Sequence, residues 1–181
     1  MKQVYLEPVY SKGGQTDTSG WGEVPTSSDE GWNAITCDFT KSGYRLPTEA
    51  EWELAARGGK PEAEAWKYTY AGTNDDAGSE LEGYAWDSFS SKGKTHEVGT
   101  KKPNSLKLYD MTGNVREWCW DWNISIDADT PSGGAVSGAD RICRGGSWSI
   151  GTNGCMVSDR YGDWPYIRSD DLGFRLVRSA N

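Results

Sequence analysis

Few residues in this 181-residue chain could carry covalent or metal chemistry. Cys37, Cys119, Cys143 and Cys155 contain no Cys-x-x-Cys pair and no Cys-His neighbour, so they lack the spacing of a zinc site. Cys143 and Cys155 could bridge, and free buried thiols are an equal alternative. The lone histidine, His96, leaves little for acid–base or metal chemistry and is expected at the surface ahead of Val98. Carboxylates remain. Asp75-Asp76 with Gly78 reads as a turn, because no third carboxylate stands at the spacing of a calcium loop. Asp110 and Glu117 flank Gly113-Asn114, where a tight turn frees backbone carbonyls. Two readings are open there: ligation of a hard cation such as calcium, or capping of the turn and its buried amides.

The last third of the chain points instead to recognition. After Glu117 there is no Lys and no Glu, while six Arg, eight Asp, five Trp and two Tyr remain. Lys and Glu lose much rotamer freedom on contact and are depleted from interface cores, where Tyr, Trp and Arg act as anchors. Between Arg144-Gly145-Gly146-Ser147-Trp148 and Gly173-Phe174-Arg175-Leu176-Val177 lie Ser149, Ile150, Gly151, Asn153, Gly154, Asp159, Tyr161, Gly162, Asp163, Trp164, Tyr166, Ile167, Ser169 and Asp170. They follow neither a helical nor a strand period, and so read as loops displayed on a rigid frame. In the frame itself, Gly145-Gly146 allows close backbone approach before a buried Trp148, and Phe174, Leu176 and Val177 form a β-rich run. A buried β-core with Asp-rich turns is the alternative reading of the same composition.

The elements that must hold these loops are short. Thr48 and Glu51 form a capping box, acidic residues fill the first turn and Gly58-Gly59 follow Arg57, which predicts a helix over about 49–57 with Trp52, Ala55 and Ala56 on the core face and Pro47 stapled against Trp52. Alternation from Glu117 to Trp122 predicts a strand with Trp118, Trp120 and Trp122 on its core side. Residues 1–44 predict short strands around Val4-Tyr5-Leu6, Trp32 and Ile35, joined by a long loop from Ser11 to Glu30. Ten Trp, 23 Gly and only 35% hydrophobic residues indicate one loop-rich domain whose core rests on a few large rings. A net charge of −8 argues against nucleic acid, and no apolar run is long enough for direct membrane insertion.

Three blocks, Arg45 to Gly59 (RLPTEAEWELAARGG), Thr95 to Trp122 (THEVGTKKPNSLKLYDMTGNVREWCWDW) and RGGSW from Arg144 followed by GFRLV ending at Val177, resemble the sulfatase-modifying-factor family, whose founding member is the formylglycine-generating enzyme. The resemblance implies an α+β, C-type-lectin-like fold, loop-rich, with short antiparallel strands and few helices. It also implies that Met1 lies inside a longer natural domain, and that Asp110, Gly113, Val115 and Glu117 match the family's calcium site, the middle two through their carbonyls. The family enzyme holds copper with two cysteines, and the matching positions here are Ile150 and Cys155. One thiolate is missing, so the two-sulfur coordination that Cu(I) prefers is not supplied. No histidine cluster supports the iron-dependent relatives.

The chain is also similar to the variable proteins of diversity-generating retroelements, a non-enzymatic branch of the family that displays C-terminal residues rewritten at adenines, mostly of AAC codons. Such rewriting never yields Lys, Glu, Gln, Met or Trp, and of the positions named above only Trp164 is one of these. Cys155, Arg160, Pro165, Arg168 and Gly173 then serve as frame between displayed positions. The expectation is a non-enzymatic ligand-binding protein that needs no cofactor beyond a structural calcium. Its partner would be a protein or other macromolecule on a host or neighbouring cell, and its place a cell surface or a phage tail. The alternatives are a copper-dependent oxidase acting on a peptide and a fixed docking module. If display is separate from core, Trp118 and Trp148 belong to the core and Ile150 to the display.

Overall fold

The polar first quarter of the chain makes one small pairing, β1 (Tyr10–Ser11) antiparallel to β2 (Thr36–Cys37), with a single helical turn α1 (Glu30–Asn33) between them, started by the Asp29 carboxylate. The computed structural model describes residues 5–74, 80–125 and 135–179. The turn expected at Asp75-Asp76 and the residue Val4 lie outside these. Tyr5 belongs to no strand and is exposed, which corrects the strand expected there.

Helix α2 spans Glu49–Ala56. Thr48 accepts the Glu51 amide, and the Glu51 carboxylate accepts the Thr48 amide at 2.8 Å, so the capping box is formed. The Arg45 guanidinium forks onto the same carboxylate at 2.6 and 2.7 Å. Trp52, Ala55 and Ala56 face inward, where they meet Ala71, Met111, Cys119, Ile142 and Val157.

That face covers a four-stranded sheet of β3 (Arg116–Trp122), β4 (Arg141–Arg144), β5 (Tyr161–Asp163) and β6 (Leu172–Gly173), ordered β5-β4-β3-β6. Neighbours are antiparallel except β3 and β6, which run parallel through Arg116 opposite Leu172 and Glu117 opposite Gly173. Four 3-10 turns, Thr18–Gly20, Glu64–Lys67, Leu81–Gly83 and Thr152–Cys155, are the remaining helical elements among the described residues. Loops outweigh regular structure, as the composition implied.

Three expectations need correction. Trp118, Trp120 and Trp122 do not share one core face: Glu117 and Cys119 point inward, Trp118 and Trp120 are half-buried, and an irregularity in the β3–β4 register between Trp118 and Trp122 turns Trp122 into the buried side. Trp120 and Trp122 instead enclose the Arg141 guanidinium, at 4.4 and 3.7 Å from the ring centroids, and this burial pushes Arg141 down to about 10. The run Phe174–Val177 is not a buried strand, since Phe174 and Leu176 are exposed; its tie to the frame is the main-chain pair between Val177 and Arg45, at 2.8 and 2.9 Å. Cys143 and Cys155 are not bridged. All four cysteines are free, with Cys143 enclosed on β4 and Cys155 in a second cluster beside Tyr70, Leu81 and Ala85.

Trp148 is half-buried, whereas Trp52 is 1% exposed. Trp52→Ala should therefore cost about 3–5 kcal/mol of unfolding free energy, and Trp148→Ala clearly less, as measured by urea denaturation. Equal losses would mean that Trp148 is as much a part of the core as Trp52.

Candidate functional site

Arg144 ends β4 with its side chain wholly buried, so its charge must be compensated inside. Its guanidinium reaches the carboxylate of Glu53, lies 3.4 Å from that of Glu49, donates to the carbonyls of Val157 (2.9 Å) and Asp159, and sits 5.4 Å from the Trp52 ring. Glu49 also accepts both arms of a fork from Arg160, at 2.6 and 2.9 Å. Two helix carboxylates and two arginines thus fasten the segment 157–160 to α2. Gly145 and Gly146 follow with φ of +94° and +69°, and a side chain at Gly146 would strike Cys155 and the Gly154 carbonyl. The close approach expected of this pair is formed.

A second fastening lies at the far end of the loop. Arg116 Nη2 donates to both oxygens of Asp171, at 3.1 and 3.2 Å, and its Nη1 lies 3.8 Å from Asp163. Ser169 donates to Asp171 at 2.6 Å, and Ser147 and Ser149 at 3.3 Å each. Partial burial raises the Asp171 carboxyl, but the Ser169 and Arg116 contacts outweigh it and hold the group below its ordinary 3.8. Arg116 and Asp171 were not singled out from the sequence; they lie 55 residues apart, and no local pattern links them.

Between the two fastenings, Ser149, Asn153, Gly162, Trp164, Ser169 and Asp170 are exposed, while Ile150, Gly151, Gly154, Asp159, Tyr161, Asp163, Tyr166 and Ile167 are half-buried. The structure brings these positions onto one segment between the fastenings, and it corrects their local form: Thr152–Cys155 is a 3-10 turn and Tyr161–Asp163 is the edge strand β5. Ile150 is only partly display, since its side chain packs on the cluster of Tyr70, Leu81, Ala85 and Cys155. Trp164 and Tyr166 stack with centroids 5.7 Å apart, and Tyr166 and Pro165 form one wall of a groove of about 180 Å³ whose other wall is Val24, Pro25, Ser27, Asp29, Trp32 and Asn33. That second wall was not foreseen. Trp32, expected in a short strand, stands instead in the helical turn α1.

The model of the Sulfatase-modifying factor enzyme 1-like domain matches residues 10–180. The chain belongs to the sulfatase-modifying factor family. Similar members include the chaperone protein LppX of Paenibacillus barcinonensis, 34% identical over 96% of this chain and 62% of its own length, and the formylglycine-generating enzyme of Streptomyces coelicolor, 33% identical over 94% and 57%. Among solved structures, Treponema denticola variable protein 1 superposes with a TM-score of 0.83 at 44% identity, over 94% of this chain and 62% of that one. The chain therefore spans about three fifths of the length of these relatives. The family's α+β, C-type-lectin-like fold is the one observed, and the likeness to a variable protein noted from sequence holds in three dimensions.

Two family sites can be tested on the side chains present. At the copper-cysteine positions, Ile150 offers no donor, and Cys155 is fully buried with its thiol pushed up to about 12, Sγ lying 3.8 Å from the Ile150 carbonyl. These residues do not fit copper. At the calcium positions, Gly113 (φ +75°) and Asn114 (φ +65°) form the tight turn; a side chain at Gly113 would strike the Trp86 carbonyl. Neither carboxylate caps that turn, whose Gly113 and Asn114 amides donate to the Gly145 and Trp86 carbonyls at 2.7 Å each. Glu117 accepts the Trp52 indole at 2.7 Å and the Arg175 fork, and Asp110 Oδ2 accepts the Gly99 amide at 2.7 Å. Asp110 Oδ1 is buried without a partner, in a cleft shared with Asn114, Val115 and Glu117. That one free carboxylate oxygen is a donor suited to a hard cation, while no group of three or more His, Cys, Asp or Glu side chains converges among the described residues. His96 is no idle surface residue: it stacks on Trp86 at 3.7 Å, and its ring nitrogen bonds the Ser91 carbonyl at 2.6 Å.

Because the folded Asp171 carboxyl titrates below 3.8, its contribution is fully present above that pH and is lost as pH falls through the lower, folded value. Wild type should be more stable than Asp171→Asn near neutrality, and the gap measured by chemical unfolding should close below pH 3.8. A gap that persists unchanged into acid would remove Asp171 as the loop's titrating anchor.

Proposed function

We propose that the chain is a non-enzymatic ligand-binding protein whose recognition surface is the loop face from Ser149 to Asp170, hypervariable in the manner of the retroelement variable proteins. One observation carries this reading. The loop is fastened chiefly by Arg116, Arg144, Glu49, Glu53 and Asp171, none of which is a displayed position; Ser149, Asp163 and Ser169 add to the Asp171–Arg116 fastening, and the other exposed side chains are free to differ while the backbone keeps its course. The likeness to Treponema denticola variable protein 1 supports it, as does the buried, protonated Cys155 opposite Ile150, which disfavours the copper-dependent oxidase.

Recognition would centre on Trp164 and Tyr166, with the small polar residues adapting around them, the division of work found in antibody loops. The groove beside Tyr166 extends the contact area to Trp32 and Pro25, so the face is built from both ends of the chain. A macromolecule on a host or neighbouring cell, met at a cell surface or by a phage tail, is the class of partner this face suits. Calcium at Asp110 would stiffen the Gly113 turn and take no part in recognition.

Deep sequencing of this gene in a growing population, with its flanking DNA, tests the reading. Substitutions confined to codons 149–171 beside an adenine-rich near-copy are expected; a uniform sequence without such a copy contradicts hypervariability and leaves a fixed docking module. For a peptide selected against the immobilised wild-type protein, Trp164→Ala or Tyr166→Ala should weaken binding by more than about 1 kcal/mol.

A further inference from the structure

Gly154 is not a glycine because its backbone requires one. Its φ is not among the positive values that favour glycine, and its amide donates an ordinary 3.0 Å bond to the Gly151 carbonyl within the 3-10 turn. What excludes a side chain is space already filled by two other displayed residues. A Cβ built on Gly154 would lie 2.3 Å from the Tyr161 hydroxyl oxygen and 2.4 Å from Ile150 Cγ2, far inside contact distance. The Tyr161 hydroxyl lies there because it donates to the Gly154 carbonyl at 3.0 Å, which lays the ring along the turn.

A side chain entering at 154 meets both neighbours, so both contacts must be relieved, and the attachments of the two decide which gives more. Ile150 is branched at Cβ and stiff, its side chain is seated on Tyr70, Leu81, Ala85 and Cys155, and its main chain is tied at both ends, amide to Ser147 at 3.1 Å and carbonyl to Ser88 at 3.0 Å. The Tyr161 side chain is held through its hydroxyl, by the Gly154 carbonyl and the Asp159 carboxylate, and its ring is half-exposed with the Arg116 guanidinium 5.8 Å away on its flank. Tyr161 is the weaker attachment.

We infer that Gly154 is a specificity-determining residue of the recognition face: the absence of a side chain there keeps Tyr161 folded down against the turn, and any larger residue releases the ring into solvent as a new contact, so positions 150, 154 and 161 change as one packed unit. A chain varying these positions independently would pay for most combinations in stability; a chain that couples them toggles an aromatic anchor with one substitution. The inference gives a mechanism within the face proposed above and rests on that reading for its role in binding. Its structural content needs no ligand, so the two fail separately.

The test is a double-mutant cycle on the whole chain. Gly154→Ala should lower the thermal midpoint by about 3–8 °C with Tyr161 present, and by less in a Tyr161→Ala background, where only the Ile150 contact remains. Phenolate formation followed by ultraviolet titration, with Tyr161→Phe variants isolating the one ring, should show Tyr161 titrating above the ordinary 10.0 in wild type and nearer to it in Gly154→Ala. Equal losses in both backgrounds, or a Tyr161 titration unmoved by Gly154→Ala, overturns the inference. Should Gly154→Ala alone not fold, folding of Gly154→Ala/Tyr161→Ala supports it, and failure of both overturns it.

Discussion

The buried guanidinium of Arg144 is the contact on which the rest of the site depends. A charge with no solvent exposure must be compensated inside, and here the compensation comes from α2 on one side and the carbonyls of residues 157 and 159 on the other. Removing either side would leave the charge uncompensated, so helix, sheet and loop are held to a common geometry. Trp52 continues this centre: its ring lies against Arg144 and its indole nitrogen bonds Glu117, which Arg175 neutralises in turn. Charge and aromatic area alternate through the middle of a domain that has few aliphatic residues to rely on.

This arrangement explains why a loop-rich fold can present a surface without depending on it. The ion pairs and main-chain bonds that fix the segment 147–171 come mostly from residues behind it, and the exposed side chains add little to the interior. The separation is incomplete at Ile150, Gly154 and Tyr161, where displayed residues pack on one another and on the core, and there a substitution changes shape as well as chemistry.

Much of the frame was legible in the sequence because its signals are local. The capping box of α2 spans four residues, and the paired glycines after Arg144 declare a close approach wherever it occurs. The three blocks of family resemblance supplied the fold. What sequence could not supply depends on partners distant in the chain: the register irregularity that separates Trp118 from Trp122, the stacking that seats His96 on Trp86, and the second wall of the groove at Trp32. The displayed set was found as a group, but its division into exposed anchors and half-buried packing residues required Cys155, Tyr70 and Tyr161 to be placed in space. The carboxylates at Asp110 and Glu117 stood evenly between cation and cap from spacing alone; their partners are distant in the chain, Trp52 and Arg175 for Glu117 and the Gly99 amide for Asp110, with Asp110 Oδ1 the oxygen left over.

The central claim is that the fold is carried by the fastenings and not by the face. It is tested most directly by comparing urea unfolding of a variant with Ser149, Asn153, Trp164 and Asp170 all changed to alanine against Arg144→Met alone. The face variant should stay within about 1–2 kcal/mol of wild type, as surface substitutions do, while breaking the buried charge network should cost on the order of 3–5 kcal/mol. A face variant destabilised as much as Arg144→Met would contradict the account, because the displayed residues would then be part of what holds the protein together.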